Sequence, residues 1–488
     1  MLIRDAEIAF DGATVDLRVD AGRIVEIAPA LRRLAGEPVI EARGRALIRS
    51  LRDHHLHLCA AAAARASVPC GPPAVDTPDA LSAALRDADA AAPPGQWLRG
   101  VGYHDSVLSG TDPDAGLDRD WLDRCVPSRP LRLQHRSGRL WILNTAALRA
   151  LGVDPESAAD DPLERRNGRA TGRLYDADAW LRARLPSQRP HLRTLSRALW
   201  RHGITAVTDT SHDNGLEAAA HFASAQAAGE LLQDVRVMGD AELDAMADAV
   251  GAHGHRLWRG AHKFHLHDHA LPEFGELCTQ IRRAHAAGRN VAFHCVSRTD
   301  LVYALAALRE AGTRRGDRIE HASIAPPELV EAVAELGLCV VTQPGFVAER
   351  GEAYRREVDA DDLPWLYRLR AWLDAGVDLA GSSDAPYVDP NPWRSMQAAV
   401  DRRSAGGHCI GPDERLDPLT ALRLWQGELH APGHVPALRV GADADLCLLP
   451  APWAGLCGRL DQVEPLLTLK RGRDAASDEV PTAAALRA

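Results

Sequence analysis

The segment Asp53-His54-His55-Leu56-His57 follows the apolar run Ala46-Leu47-Ile48 and spaces two imidazoles at i and i+2. On an extended backbone, side-chain direction repeats every two residues. His55 and His57 therefore share a side with Asp53, and two imidazoles on one side can hold one metal ion. A bare His-x-His pair is often structural. Four polar residues far downstream change its meaning: Lys263, His294, His321 and Asp384 each lie at or just beyond the end of a short strand-like run. His294 closes Val291-Ala292-Phe293-His294, and His321 closes Asp317-Arg318-Ile319-Glu320-His321. A lone histidine at a strand end is usually a hydrogen-bonded core residue, but two such placements read as ligands. Asp384, in Ala380-Gly381-Ser382-Ser383-Asp384-Ala385-Pro386, can bind metal and take a proton from an attacking water. It could also cap a following helix. His54 points away from the pair and reads as a packing or supporting residue.

Lysine is nearly absent. Lys263 and Lys470 are the only two among 57 basic residues. Arginine substitutes for lysine as a solvated charge but not as a neutral, nucleophilic amine. A buried lysine can lose its proton and react with carbon dioxide, giving a carbamate whose oxygens bridge two cations about 3.5–4 Å apart. Lys263, within Ala261-His262-Lys263-Phe264-His265-Leu266-His267-Asp268-His269, has the setting for this, and His265, His267, Asp268 and His269 are alternative ligands beside it. Lys470 has no such setting and reads as a surface residue. Weaker substrate candidates are Trp97, Tyr103 and His104 in one segment and Gln343 after the seventh strand-like run, with Arg350 and Tyr354 near the mouth. Packing is at least as good a reading for each.

Strand-like and helix-like segments alternate, which points to a βα-repeating barrel with catalytic groups at the C-terminal ends of its strands. The expected strands are Ala46–Leu51, Ile204–Thr208, Val235–Met238, Ala261–Leu266, Val291–His294, Arg318–His321, Leu338–Thr342 and Val377–Gly381. Expected helices between them include Pro272–Ala287, Thr299–Ala311 and Pro326–Leu336. The gap between Leu51 and Ile204 far exceeds a βα unit, so about 60–195 reads as an insertion, a cap or substrate-recognition element. It contains strand-like Trp97–Val101 and Leu131–Gln134, which could shift the barrel numbering by one. Short strands at Leu2–Arg4, Glu7–Phe10, Val15–Val19 and Arg23–Ile27 and at Asp445–Leu449 and Pro465–Leu469 suggest that both ends build one small β-sandwich. The expected division is 1–45 and 435–475 for the sandwich, 46–434 for the barrel, and a tail over 476–488.

The chain is 488 residues long, 46% hydrophobic and 25% charged, with a net charge of −10. These values fit a soluble globular protein, argue against a nucleic-acid partner and offer no membrane span. Nine scattered cysteines, never spaced C-x-x-C, suit free thiols in a reducing cytoplasm. No glycine-rich phosphate loop is present.

Taken together, these residues resemble the metal-dependent amidohydrolase superfamily, in its branch with a long insertion after the first barrel strand. The resemblance rests on Asp53-x-His55-x-His57, His202-Gly203-Ile204-Thr205, Lys263, Ala292-Phe293-His294, Arg318-Ile319-Glu320-His321-Ala322, Gln343-Pro344, the Gly381–Pro386 segment and Gly441-Ala442-Asp443-Ala444-Asp445-Leu446. It implies a distorted (β/α)8 TIM barrel with a β-sandwich from both termini. It implies two divalent ions, zinc by the nitrogen-rich donors: His55, His57 and Asp384 for the buried one, His294 and His321 for the other, and a carboxylated Lys263 between them. The implied activity is hydrolysis of an amide or cyclic amide, not a peptide, in a small molecule. Metal-activated hydroxide would attack, the second ion would polarise the carbonyl, and Asp384 would carry the proton to the leaving nitrogen. Two departures stand out. Arg49-Ser50 replaces the usual Pro-Gly before the first motif, and Gly138-Arg139 replaces the family's Gly-His, so that substrate contact is not carried over. The rival readings are a mononuclear deaminase or isomerase, which would not need Lys263, and a non-catalytic scaffold. A homodimer is the base expectation.

Overall fold

Eight parallel strands follow one another in chain order around a nearly closed barrel in the computed structural model. They are β1 (Leu51–Leu56), β2 (Ile204–Asp209), β3 (Asp234–Gly239), β4 (Leu257–His265), β5 (Val291–Cys295), β6 (Arg318–His321), β7 (Cys339–Thr342) and β8 (Asp378–Gly381). The structure describes residues 1–476 apart from 73, 109–115, 158–160, 186–188 and 251–255. The part of the expected tail from 477 onward lies outside the described residues. β1, β2, β6 and β7 are buried at every position, as parallel strands covered on both faces must be.

Helices return the chain between strands. The helix Phe274–Ala286 buries Leu277, Cys278, Ile281 and Ala284, one apolar stripe at helical spacing. Arg298–Ala311 starts at a capping box between Ser297 and Asp300, and Pro327–Glu335 starts on a proline, which needs no donor there. These three elements fall within a few residues of the sequence expectation.

The last strand is fastened to the first by polar contacts. The Asp384 amide donates to the His55 carbonyl at 2.7 Å, and the His57 amide to the Ala385 carbonyl at 2.9 Å. The buried Asp53 carboxylate accepts from the Ser383 amide at 3.1 Å and the Ser383 hydroxyl at 2.5 Å. Burial pushes the Asp53 carboxyl up to about 6 despite these donors. Asp53 thus works as a clasp between β1 and the segment after β8.

The first expected barrel strand, Ala46–Leu51, needs correcting. Leu47–Arg49 pairs antiparallel with Leu446–Leu448, and the barrel strand begins only at Leu51. The chain changes sheets between the Ser50 amide, which donates to Asp445 at 2.9 Å, and the Leu51 amide, which donates to Gly203 at 2.8 Å. Two short extended segments meet there, and an apolar run does not say which sheet it joins. The expected strand Glu7–Phe10 does not form either. Leu2–Glu7 is one strand, and Phe10 has a φ of 60°, outside the extended region.

Both ends of the chain contribute to paired sheets. A four-stranded sheet is ordered Arg23–Ala28, Thr14–Asp20, Leu2–Glu7, Val39–Glu41, and a three-stranded sheet is ordered Leu467–Leu469, Leu446–Leu448, Leu47–Arg49. Ile3, Leu17, Ile24 and Ile40 share one apolar cluster with Leu446, Leu448 and Leu469.

Residues 62–190 form a compact unit of their own, and 1–61 with 191–488 form the other. The smaller unit has a six-stranded sheet in which Leu98–Tyr103 and Leu131–His135 are neighbours. Those two expected strands therefore lie outside the barrel, whose numbering stands.

Lys470 is not a surface residue. It is buried and ion-paired with Asp234 in β3, and its ammonium also donates to the Leu232 carbonyl at 3.4 Å. All nine cysteines are free. No helix among the described residues is long and apolar enough to cross a membrane.

Candidate metal centre

Strand register gathers the sequence-predicted residues at the C-terminal ends of the barrel strands. In neighbouring parallel strands Lys263 pairs with Ala292, His265 with His294, and Cys295 with His321. The ends of β4, β5 and β6 therefore present Lys263, His265, His294 and His321 side by side. β1 supplies His55 and leads into His57, and the turn after β8 supplies Asp384. His321 and Asp384 have φ values of 67° and 57°, left-handed backbone that non-glycine residues rarely adopt. Strain of this kind concentrates at sites where a side chain must be aimed.

His55, His57 and Asp384 converge. One donor atom from each lies within 4.8 Å of the others, and Asp384 Oδ1 is 3.3 Å from both His55 Nε2 and His57 Nε2. Each imidazole is held from behind. His55 Nδ1 lies 2.6 Å from Glu320 Oε2, His57 Nδ1 lies 2.9 Å from the Ser211 hydroxyl, and His321 Nδ1 lies 2.8 Å from Gln343 Oε1. With Nδ1–H donating to Glu320 and to Gln343, Nε2 of His55 and His321 carries its lone pair into the centre.

Electrostatics follow from burial. Glu320 is fully buried, yet Arg318, whose Nε donates to Oε1 at 2.6 Å, with Lys263 and His55, holds its carboxyl well below the ordinary range. Burial also acts on Asp384, but His55, His57 and His321 outweigh it and keep the carboxylate ionised. Burial and the neighbouring His55 push His321 down to about 3. Burial lowers Lys263 to about 8 against the pull of Glu320, whose Oε1 is 3.7 Å away.

The polar atoms left without partners decide whether this donor set suits a metal. Lys263 Nζ, His321 Nε2 and Asp384 Oδ1 are all buried with no hydrogen-bond partner. Stranding three such atoms together would be costly, and a divalent cation is the group that would satisfy them. The residues fit a metal.

A second group stands beside the first. His265, His267 and His294 offer ring nitrogens within 4.8 Å of one another. Ring centroids run His55–His321 at 4.7 Å, His321–His294 at 4.5 Å and His294–His265 at 4.4 Å, a continuous arc of imidazoles.

The other sequence candidates have quieter surroundings. Gln343 is buried and engaged at both ends of its amide, since its Nε2 donates to the Ser382 hydroxyl at 3.0 Å. That geometry sets it behind His321. Tyr354 shares a 3.2 Å hydroxyl contact with Tyr367 on the helix Gly345–Glu357, and Arg350 donates to the Tyr387 carbonyl at 3.2 Å. Trp97, Tyr103 and His104 belong to the 62–190 unit. Trp97 packs on the apolar cluster around Trp141, Tyr103 is buried, and His104 Nδ1 is 2.7 Å from the Ser106 hydroxyl. Sequence reasoning gave no role to Glu320 or Ser211. Glu320 stands directly before His321 in a quoted motif, the one signal that could have found it; Ser211 carries none.

The chain is similar to known proteins over most of its length. Residues 38–473 match the amidohydrolase family model. An N-substituted formamide deformylase of Arthrobacter pascens is 27% identical over 486 residues, covering 89% of each chain. The Arabidopsis thaliana protein LONG AFTER FAR-RED 3 is 23% identical over 467 residues, covering 82% of this chain and 77% of that one. An uncharacterized metal-dependent hydrolase of Pyrococcus horikoshii superposes with a TM-score of 0.75 at 19% identity, covering 92% of this chain and 96% of the other. That likeness concerns the fold.

Proposed function

The chain belongs to the amidohydrolase family and is a metal-dependent hydrolase of non-peptide carbon–nitrogen bonds, and on that premise we propose that it cleaves the amide of a small N-substituted substrate at the centre built on His55, His57 and Asp384. The observation that carries this reading is the convergence of two imidazoles and a carboxylate on one point, with Asp384 Oδ1 buried and unpartnered there. An N-substituted amide is the first class to test, since the relative from Arthrobacter pascens acts on N-substituted formamides.

His55, His57 and Asp384 would hold the more buried ion, with His294, His321 and a carboxylated Lys263 around a second. Zinc suits these donors. When bound, such ions supply Lewis acidity that polarises the carbonyl and makes water nucleophilic at neutral pH. The chain's own residues do the rest. Asp384 accepts a proton from the attacking water at its carboxylate and delivers it to the departing nitrogen, so that an amine and not an amide anion leaves. Glu320 keeps His55 in the tautomer that presents Nε2, and Gln343 does the same for His321. Lys263 Nζ is lowered to about 8, so a neutral fraction is available to add to carbon dioxide, forming an N–C bond and releasing one proton.

One observation favours a second reading. Lys263 Nζ lies 3.7 Å from Glu320 Oε1, so the free ammonium has an ion-pair partner, and Lys263 could remain an amine beside a single ion. Labelled bicarbonate separates the two. A carbamate carbon signal that disappears in Lys263→Met supports the bridge, and its absence from metal-loaded protein supports the amine.

The function is tested by amine release from a panel of N-substituted formamides and cyclic amides. Asp384→Asn should lower turnover by roughly 10²–10⁴-fold. Full turnover in that variant would refute the role of Asp384.

A further inference from the structure

His265, His267 and His294 form a donor set that the reaction above does not use as a unit. We infer that these three imidazoles hold an additional, solvent-facing divalent cation of the zinc class, in a site made entirely of ring nitrogen, with His294 offering it one ring nitrogen and, as an imidazolate, keeping the other for the second ion of the hydrolytic centre. The inference goes beyond the proposed hydrolysis and stands whether or not Lys263 carries a carbamate.

The backbone creates the site. His265 ends β4 and His294 lies near the end of β5, and the two are register partners on adjacent strands. His267 follows at i+2 from His265, which returns its side chain to the same side. The rings sit close: His265–His294 at 4.4 Å, His265–His267 at 4.3 Å and His267–His294 at 5.9 Å between centroids. One nitrogen from each already lies within 4.8 Å of the others. Zinc–nitrogen bonds of about 2.0–2.1 Å in a tetrahedron place donors roughly 3.4 Å apart. His265 and His267 are exposed, so small rotations of rings facing water can close that gap.

None of the three rings makes a hydrogen bond or ion pair with another described side chain. That contrasts with His55, His57 and His321, each braced at Nδ1. The ring of His212 lies 4.6 Å from that of His265, and the ring of His269 lies 5.4 Å from that of His267, so imidazole also walls the site. A crowd of imidazoles without a carboxylate among the three donors suits a borderline cation such as zinc, cobalt or nickel and not magnesium or calcium, which need oxygen. Three protein donors leave one position open to water, and exposure makes the ion exchangeable. His294 stands between this set and the buried one, with the rings of His265 and His321 on its two sides.

The test is metal binding, read without activity. Chelator-treated full-length protein is dialysed against graded free Zn²⁺, and a parallel Co²⁺ titration follows the visible absorption. The wild type should show a tighter class and a weaker class of ion. His265→Ala/His267→Ala should bind one ion fewer, losing the weaker class while the tighter class keeps its affinity. His267→Gln alone should weaken that class at least tenfold, which guards against a folding defect in the double variant. In Lys263→Met, where no carbamate can form, the weaker class should persist. An unchanged stoichiometry in the double variant, a single class in the wild type, or loss of the weaker class in Lys263→Met would each overturn the site. Failure of the hydrolytic reading is a separate event, detected by Asp384→Asn turnover.

Discussion

The two lysines of this chain are chemically alike in the fold and differ in what surrounds them. Both are buried, and burial lowers both to about 8. Lys470 bridges the end of the chain to β3 through Asp234 and the Leu232 carbonyl. Lys263 Nζ has no hydrogen-bond partner and looks into a ring of imidazoles with Glu320 at 3.7 Å. A depressed proton affinity is therefore common to a lysine that holds the fold and to the one proposed to serve the chemistry. What separates them is satisfaction. A buried amine whose bonds are made holds the fold, and one whose bonds are not made is available to chemistry.

Exchanging each lysine for methionine should give crossed results, and this is the largest effect expected. Lys470→Met leaves the Asp234 carboxylate with Arg256 alone, 3.5 Å away, and should cost about 1–3 kcal/mol of stability, with kcat of the folded fraction retained. Lys263→Met removes an amine that has no hydrogen bond and only the 3.7 Å ion pair to Glu320, which keeps Arg318 at 2.6 Å, and should leave the melting temperature level or raised, while turnover of metal-loaded enzyme falls about a hundredfold or more. Thermal melts and steady-state rates on the same preparations check both. Equal loss of turnover in the two variants would erase the distinction.

The pH dependence of stability should show what the lysines share. Each has a folded-state value near 8 against an ordinary value of 10.5. Between those limits the unfolded chain binds more protons, so stability rises with pH through the window and each lysine's cost is greatest below about 8. A shift of this size corresponds to about 3 kcal/mol per lysine. Denaturant midpoints of metal-free protein from pH 7 to 10 should climb. The Lys263→Met curve should be flatter, and Lys470→Met flatter as well as lower. Parallel curves for all three proteins would mean that neither lysine titrates in that window.

Much of the centre was legible because barrel topology turns sequence position into spatial position. A histidine closing an apolar run in a βα repeat must emerge at the C-terminal mouth, so His294 and His321 could be placed from Val291-Ala292-Phe293 and Arg318-Ile319-Glu320 alone. The supports behind the imidazoles were not legible. Glu320 is 265 residues from His55, and Ser211 is 154 residues from His57. Glutamate and serine are common residues whose role appears only when two strands are laid side by side. Leu47–Arg49 failed for a related reason: a three-residue extended segment carries no mark of the sheet it will join. Lys470 failed because scarcity of lysine was weighed by motif, while its burial depends on Asp234 in a distant strand.

The supports sharpen the comparison further, because they should matter in proportion to burial. Glu320 is fully buried, accepts from His55 and is itself held ionised by Arg318. Glu320→Gln keeps the shape but removes the charge and weakens the hold on the His55 tautomer. Affinity for the tighter ion should fall about 10–100-fold, the range expected for a group behind a ligating histidine. Competition with a chromophoric chelator measures it directly.

Ser211 should give the smallest effect of the set. Its hydroxyl lies 2.9 Å from His57 Nδ1, but His57 is only half-buried and Ser211 is partly exposed, so water can replace the lost group. Replacing a neutral partner that solvent can substitute costs about 0.5–1.5 kcal/mol at most, or roughly two- to tenfold in metal affinity. Ser211→Ala should therefore fall short of Glu320→Gln by about a factor of ten under the same chelator competition, with the rate at saturating metal nearly unchanged. If Ser211→Ala instead matched Glu320→Gln, support of the imidazoles would not scale with burial. The contrast drawn from the two lysines, that satisfied and unsatisfied buried groups play different parts, would then stop at the lysines and not extend to the groups behind His55 and His57.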